Sequence, residues 1–153
     1  MIKIQDLLQN NTSRSHILQL CVQLVEQEVQ QVPGLSGLAV KTSYAVVKSL
    51  KPNMVAEVLE GLLDECARTL DPFVEKAWAS NAQTAVPFFT EHATLIAQEL
   101  LKLTDLRATR ARNTMLLKIY EKLRPSALKH VEKAVPAIGQ MLMLVLPQKT
   151  TAV

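Results

Sequence analysis

Glu57, Glu60 and Asp64 stand three and four residues apart, a spacing that stacks carboxylates on one face of a helix. Carboxylates placed this way could hold a divalent cation, and a di-metal bundle would add Glu-x-x-His motifs from facing helices. His16, His92 and His130 are preceded three positions earlier by Ser13, Phe89 and Ala127, so that motif is missing. The row therefore reads as a solvated or salt-bridged acidic face. Neither a metal nor a cofactor is expected.

Other reactive types are as sparsely supported. Gly34 to Thr42 has glycines followed by Lys41-Thr42, but Val40 stands where a phosphate-binding loop needs glycine, and a helical segment precedes it where a strand is needed. Ser36 lacks the Gly-x-Ser-x-Gly frame, because position 38 is leucine. Ser15 and His16 are chain neighbours and make no triad. Asp64 and Glu65 precede Cys66, and nearby anions discourage a thiolate. No catalytic residue emerges, and the expectation is a protein that is not an enzyme.

The surface with most functional character is basic. Placed on one helix over 106–123, Arg107, Arg110, Lys118 and Lys122 fall within about one third of the circumference. Such a face could contact a partner or an anion. Arg112 falls on the apolar side of that helix and is expected to pair with a carboxylate. Nucleic acid is disfavoured, since Glu121 interrupts the face and no aromatic platform accompanies it.

The elements that must position these groups read as helices. Leu, Ala, Val, Gln, Glu and Lys dominate, while aromatics make up only 4%. Residues 1–10 form a short amphipathic arm, and Thr12 or Ser13 can cap a helix that Pro33-Gly34 stops. The turn at Gly34, Ser36 and Gly37 folds two helices back on each other, with Ser36 capping a helix from Gly37 to about Leu50. Lys51-Pro52 ends that element, and a helix from Asn53 to about Leu70 carries the acidic row. Asp71-Pro72 opens a short helix that Ser80-Asn81 breaks. Helices over about 84–103 and 106–123 follow, and Pro125 starts a last one to about Leu146. That last helix is aliphatic on nearly all sides, so it lies centrally or is covered by another subunit. Leu50-Lys51-Pro52, Leu70-Asp71-Pro72 and Leu123-Arg124-Pro125 repeat one punctuation.

Residues 53–75 hold six acidic residues and one arginine, a net of −5, while residues 102–133 hold nine basic and three acidic, a net of +6. The overall +3 thus hides an acidic segment set against a basic one. Cys21 and Cys66 sit among aliphatic residues and suggest no disulfide framework, which fits a reducing compartment. No secretory signal is visible, and the apolar run 134–147 is too short to span a bilayer. A cytoplasmic, non-transmembrane protein is expected, with residues 147–153 as a flexible tail.

The run Pro33-Gly34-Leu35-Ser36-Gly37-Leu38-Ala39-Val40-Lys41, with Tyr44 to Lys48, Lys51-Pro52, Gly61-Leu62-Leu63, Leu70-Asp71-Pro72-Phe73 and Leu123-Arg124-Pro125, resembles an uncharacterised bacterial family classed as a domain of unknown function. The resemblance spans roughly Gly34 to Pro136. It implies a small helical protein and brings no catalytic residue or cofactor with it.

The expected fold is a single-domain, all-α antiparallel bundle of six or seven helices. The leading functional expectation is a non-enzymatic interaction or assembly protein that self-associates through aliphatic helix faces. A module binding lipid or another apolar ligand is the alternative, and nucleic-acid or anion binding through the 106–123 helix is third.

Overall fold

The computed structural model describes residues 2–80 and 85–147. Among the described residues the chain forms seven helices and no strand: α1 (Ile4–Leu7), α2 (Asn11–Gln31), α3 (Gly34–Leu50), α4 (Met54–Ala79), α5 (Val86–Glu91), α6 (Ala93–Ala108) and α7 (Thr114–Val145). This is the all-α bundle that the periodicity implies. Parts of two expectations, Asn81 with Thr84 and the tail beyond Pro147, lie outside the described residues.

The amphipathic arm is docked. Ile4 and Leu8 are buried in the main core. The Asp71 carboxylate accepts the Ile4 N–H at 2.7 Å, the Gln5 N–H at 3.2 Å and the Gln5 side-chain amide at 3.0 Å. Asp71 therefore caps a helix, as its type suggests, but the helix is α1 and not one starting at Pro72.

Three expected breaks are absent, at Asp71-Pro72, at Pro125 and at Thr104-Asp105, the last lying inside α6. α4 runs through Pro72, and α7 runs through both Pro125 and Pro136. At Pro72 the reason is burial: Leu70, Phe73, Val74 and Ala77 are all buried, while Pro72 itself is exposed. One missing bond to the Arg68 carbonyl costs less than abandoning that apolar face. Of the three Leu-charged-Pro repeats only Lys51-Pro52 is punctuation.

Two unexpected breaks occur. His92 separates α5 from α6, with its Nδ1 2.9 Å from the Phe88 carbonyl oxygen and its ring stacked on Phe88. Between α6 and α7, the Thr109 hydroxyl donates to the Leu106 carbonyl at 2.6 Å, and the Asn113 side chain accepts the N–H groups of Met115 and Leu116 at 3.0 and 3.1 Å. A back-bonding threonine and an Asn cap together end one helix and start another.

The core is one-ended. Its largest fully buried side chains, Phe89, Ile96, Leu142, Val74 and Val135, come from α4 to α7. By contrast α3 buries only Gly37 and Ser43, and no residue of α7 before Val135 is buried. At that second end the helices leave apolar grooves between them. The C-terminal stretch of α7 is also one-faced: Leu142 is 2% exposed and Leu144 is 72% exposed. Among the described residues no helix is long and apolar enough to cross a membrane.

Candidate functional site

The glycine turn is structural, and its details differ from the sequence reading. α3 begins at Gly34, whose φ of +69° is a left-handed conformation that disfavours side chains. Pro33 occupies the cap position without a side-chain bond, so Ser36 is not the cap but lies in the first turn. A Cβ on Gly37 would fall inside the Val32 carbonyl, so the chain can double back here only with glycine. Ser36 Oγ instead lies 3.0 Å from His130 Nε2, tying α3 to α7. The pair is open to solvent at Ser36, and no described carboxylate is bonded to His130. It is a tether without the third group that would poise a nucleophile.

The acidic row is neutralised within the chain. Arg14 of α2 donates from Nε to Glu60 at 2.7 Å, and from its two terminal nitrogens to both oxygens of Asp64 at 2.8 and 3.0 Å. Its guanidinium holds the Asp64 carboxyl below the ordinary range. Glu57 pairs with Lys51 at 2.8 Å. Glu57, Glu60 and Asp64 are thus each in an ion pair with a basic side chain. Among the described residues no three His, Cys, Asp or Glu side chains are placed to hold a metal ion. Cys21 and Cys66 are free thiols, each pushed up to about 11, chiefly by burial, so both stay protonated near neutrality.

The basic quartet is divided. No single helix spans 106–123: Arg107 ends α6, Arg110 sits in the turn, and Lys118 and Lys122 lie on α7. Arg107 and Arg110 line a groove with Arg112, while Lys118 and Lys122 do not. Arg112, expected to be buried and paired, is exposed in the turn and has no carboxylate partner among the described residues. Leaving the helix removes the need for one.

This groove, of about 680 Å³, opens between the start of α4, the end of α6 and the start of α7. Its apolar lining comes from Met54, Val58, Leu62, Leu116, Leu117 and Ile119. Arg107, Arg110 and Arg112 supply the charge. Gly61 makes room for one of them, since a Cβ there would run into the Arg107 guanidinium. The acids at this end are engaged elsewhere. Glu57 lines the groove but is bound to Lys51. Asp105 accepts from Arg124 at 2.8 and 3.0 Å and from the Tyr120 hydroxyl. Arg124 first, and Tyr120 second, hold the Asp105 carboxyl below its usual value, while burial raises Tyr120. Thr104 Oγ1 closes the network at 2.8 Å from Tyr120 Oη.

Three cations with no carboxylate partner beside an aliphatic floor suit a molecule that is apolar at one end and anionic at the other. A second groove of about 340 Å³ lies between α2, α3 and α7, lined by Leu24, Val29, Val40 and Val131 with Glu28 and His130. Sequence reasoning missed Arg112 as a groove residue because it extended one helix across 109–113. It could have found the break in Asn113-Thr114, an ordinary helix-start signal.

No curated protein and no solved structure matches the chain. A family model does match, over residues 4–145, a longer span than the resemblance read from Gly34 to Pro136. The chain belongs to that family, DUF6918, a family of unknown function.

Proposed function

We propose that the protein is a binding module for an amphiphilic anion, a molecule with an aliphatic chain and a carboxylate or phosphate head. The observation that carries the reading is the placing of Arg107, Arg110 and Arg112, none paired with a described carboxylate, on an aliphatic groove of about 680 Å³. The volume is in the range of small-molecule sites. The proposed role is binding: Thr104 Oγ1 lies against Tyr120 Oη and Tyr120 donates to Asp105, so neither hydroxyl is left uncommitted beside the groove. A reducing compartment such as the cytoplasm suits its two free thiols.

Calorimetric titration with dodecanoate, dodecyl phosphate and dodecanol tests it. Either anion should bind at least about tenfold more tightly than the alcohol, as expected for a charge-assisted contact. The triple variant R107A/R110A/R112A should lose that preference. Equal affinity for anion and alcohol, or no binding of either, would overturn the reading.

Self-association is the second reading, favoured by the exposed Leu95, Leu106 and Leu144 on α6 and α7. Light scattering across a hundredfold range of concentration would decide it: a strictly monomeric mass removes it.

A further inference from the structure

Because α7 continues through Pro125, Lys118 and Lys122 come into line with Lys129 and Lys133. At 100° per residue the four lie within an arc of about 60° and span about 22 Å of helix. All four are exposed, and none is paired with a carboxylate among the described residues. Met115 and the strongly exposed Leu144 extend the same strip at its two ends, within about 80° of arc. Its remaining positions are Ser126, Pro136 and Gln140, so the strip holds no acid, and Glu121 and Glu132 fall to one side of it.

A second observation places apolar surface beside these charges. The Ser36 to His130 contact joins the first turn of α3 to α7 between Lys129 and Lys133. Leu35 and Leu38, on either side of Ser36, are 87% and 62% exposed. Two bare leucines beside a row of lysines are a liability in water and an asset at a lipid interface. There, aliphatic side chains enter the acyl boundary and ammonium groups meet headgroups.

We propose that this face, Lys118, Lys122, Lys129 and Lys133 with Leu35 and Leu38, docks the protein peripherally on an anionic membrane surface. The chemistry favours lipid over nucleic acid. No aromatic side chain lies on the strip to stack a base, and Tyr120 is turned inward to Asp105. The cations are lysines, point charges suited to a diffuse field of headgroups, and not the bidentate forks that read bases. The inference is independent of the groove, which none of the four lysines lines.

Co-sedimentation of the full chain tests it, using vesicles of phosphatidylcholine alone and with about 30% phosphatidylglycerol, beside a 20-base-pair duplex at the same salt. The wild type should bind the anionic vesicles, ignore the neutral ones, and lose affinity as salt rises. The variant K118E/K122E/K129E/K133E should lose on the order of 100-fold while keeping its helical circular dichroism and melting temperature. Should that variant fold poorly, the two-lysine variants K118E/K122E and K129E/K133E should each lose about tenfold. Replacing Leu35 and Leu38 by serine should weaken vesicle binding several-fold without altering its salt dependence. R107A/R110A/R112A should bind vesicles like the wild type, which separates this face from the groove. Indifference to anionic lipid, unchanged binding by the lysine or the leucine variants, equal loss in the arginine variant, or tighter binding to the duplex would each overturn the proposal.

Discussion

The Asp71 carboxylate accepts the backbone N–H of Ile4 across 67 positions of sequence, at 2.7 Å. Asp71 is 3% exposed, so this is a buried charge satisfied mainly by the start of another helix. It fixes where α1 sits, and with it the two core side chains Ile4 and Leu8. Replacing Asp71 by alanine should cost about 2 kcal/mol, the order of a charged hydrogen bond lost from a buried site. Asn should cost less, since one acceptor oxygen remains. Urea unfolding measures both, and an alanine variant within about 0.5 kcal/mol of wild type would contradict the assignment.

Gly34 and Gly37 are glycines for different reasons, and substitution should separate them. Gly34 has open space around it and only its positive φ to defend, so G34A should cost about 1 kcal/mol. At Gly37 a methyl group would meet the Val32 carbonyl, which is backbone and cannot swing aside. G37A should therefore cost more, about 2–3 kcal/mol, by forcing α2 and α3 apart. Thermal melts of the two variants should rank in that order.

Acid should weaken the fold in two steps. His130 is held below its ordinary value by burial first and by Lys133 and Lys129 next. The unfolded chain therefore takes up this proton first, and stability starts to fall as pH drops below about 6.5. Asp64 and Asp105 are held below the ordinary value by Arg14 and Arg124, so their contribution is complete above about pH 4 and lost as pH falls through their lower folded values. Melting temperatures between pH 8 and pH 2 would show this, and H130Q should remove the upper step alone. A flat curve in the variant below pH 4 would contradict the carboxylate part.

Pro125 lies inside a helix that continues regardless. P125A should restore a bond to the Glu121 carbonyl and raise stability by about 1–3 kcal/mol with no loss of helix content. Destabilisation instead would mean that the ring itself packs against something essential.

Local residues made several parts of the fold readable from sequence. Pro33-Gly34 marks a turn because one residue forbids the helix and the other supplies the reversal. Lys51-Pro52 ends α3 for the same local reason. Pro72 misled because a proline rule is local, whereas a helix persists when packing on both sides of the proline rewards it; Pro125 misled too, although the helix around it is at most half-buried. His92 left no signal at all, since its break comes from a ring stacked on Phe88 and facing that residue's carbonyl. The acidic row was readable as a face, but its partner Arg14 was not, because ion pairs across 46 and 50 positions depend on how α2 lies against α4. The basic quartet was misgrouped by a single wrong boundary at 109–113. That error hid Arg112 in the groove, while the break expected at Pro125 hid the alignment of Lys129 and Lys133 with Lys118.

The one-ended core implies unequal amide protection. Exchange at Phe89, Ile96 and Val135 should require global opening, whereas α3 and the first four turns of α7 should exchange through smaller, local excursions. A guest molecule settling among those looser helices would quieten them selectively, slowing deuterium uptake there while leaving the tightly packed pole unaltered.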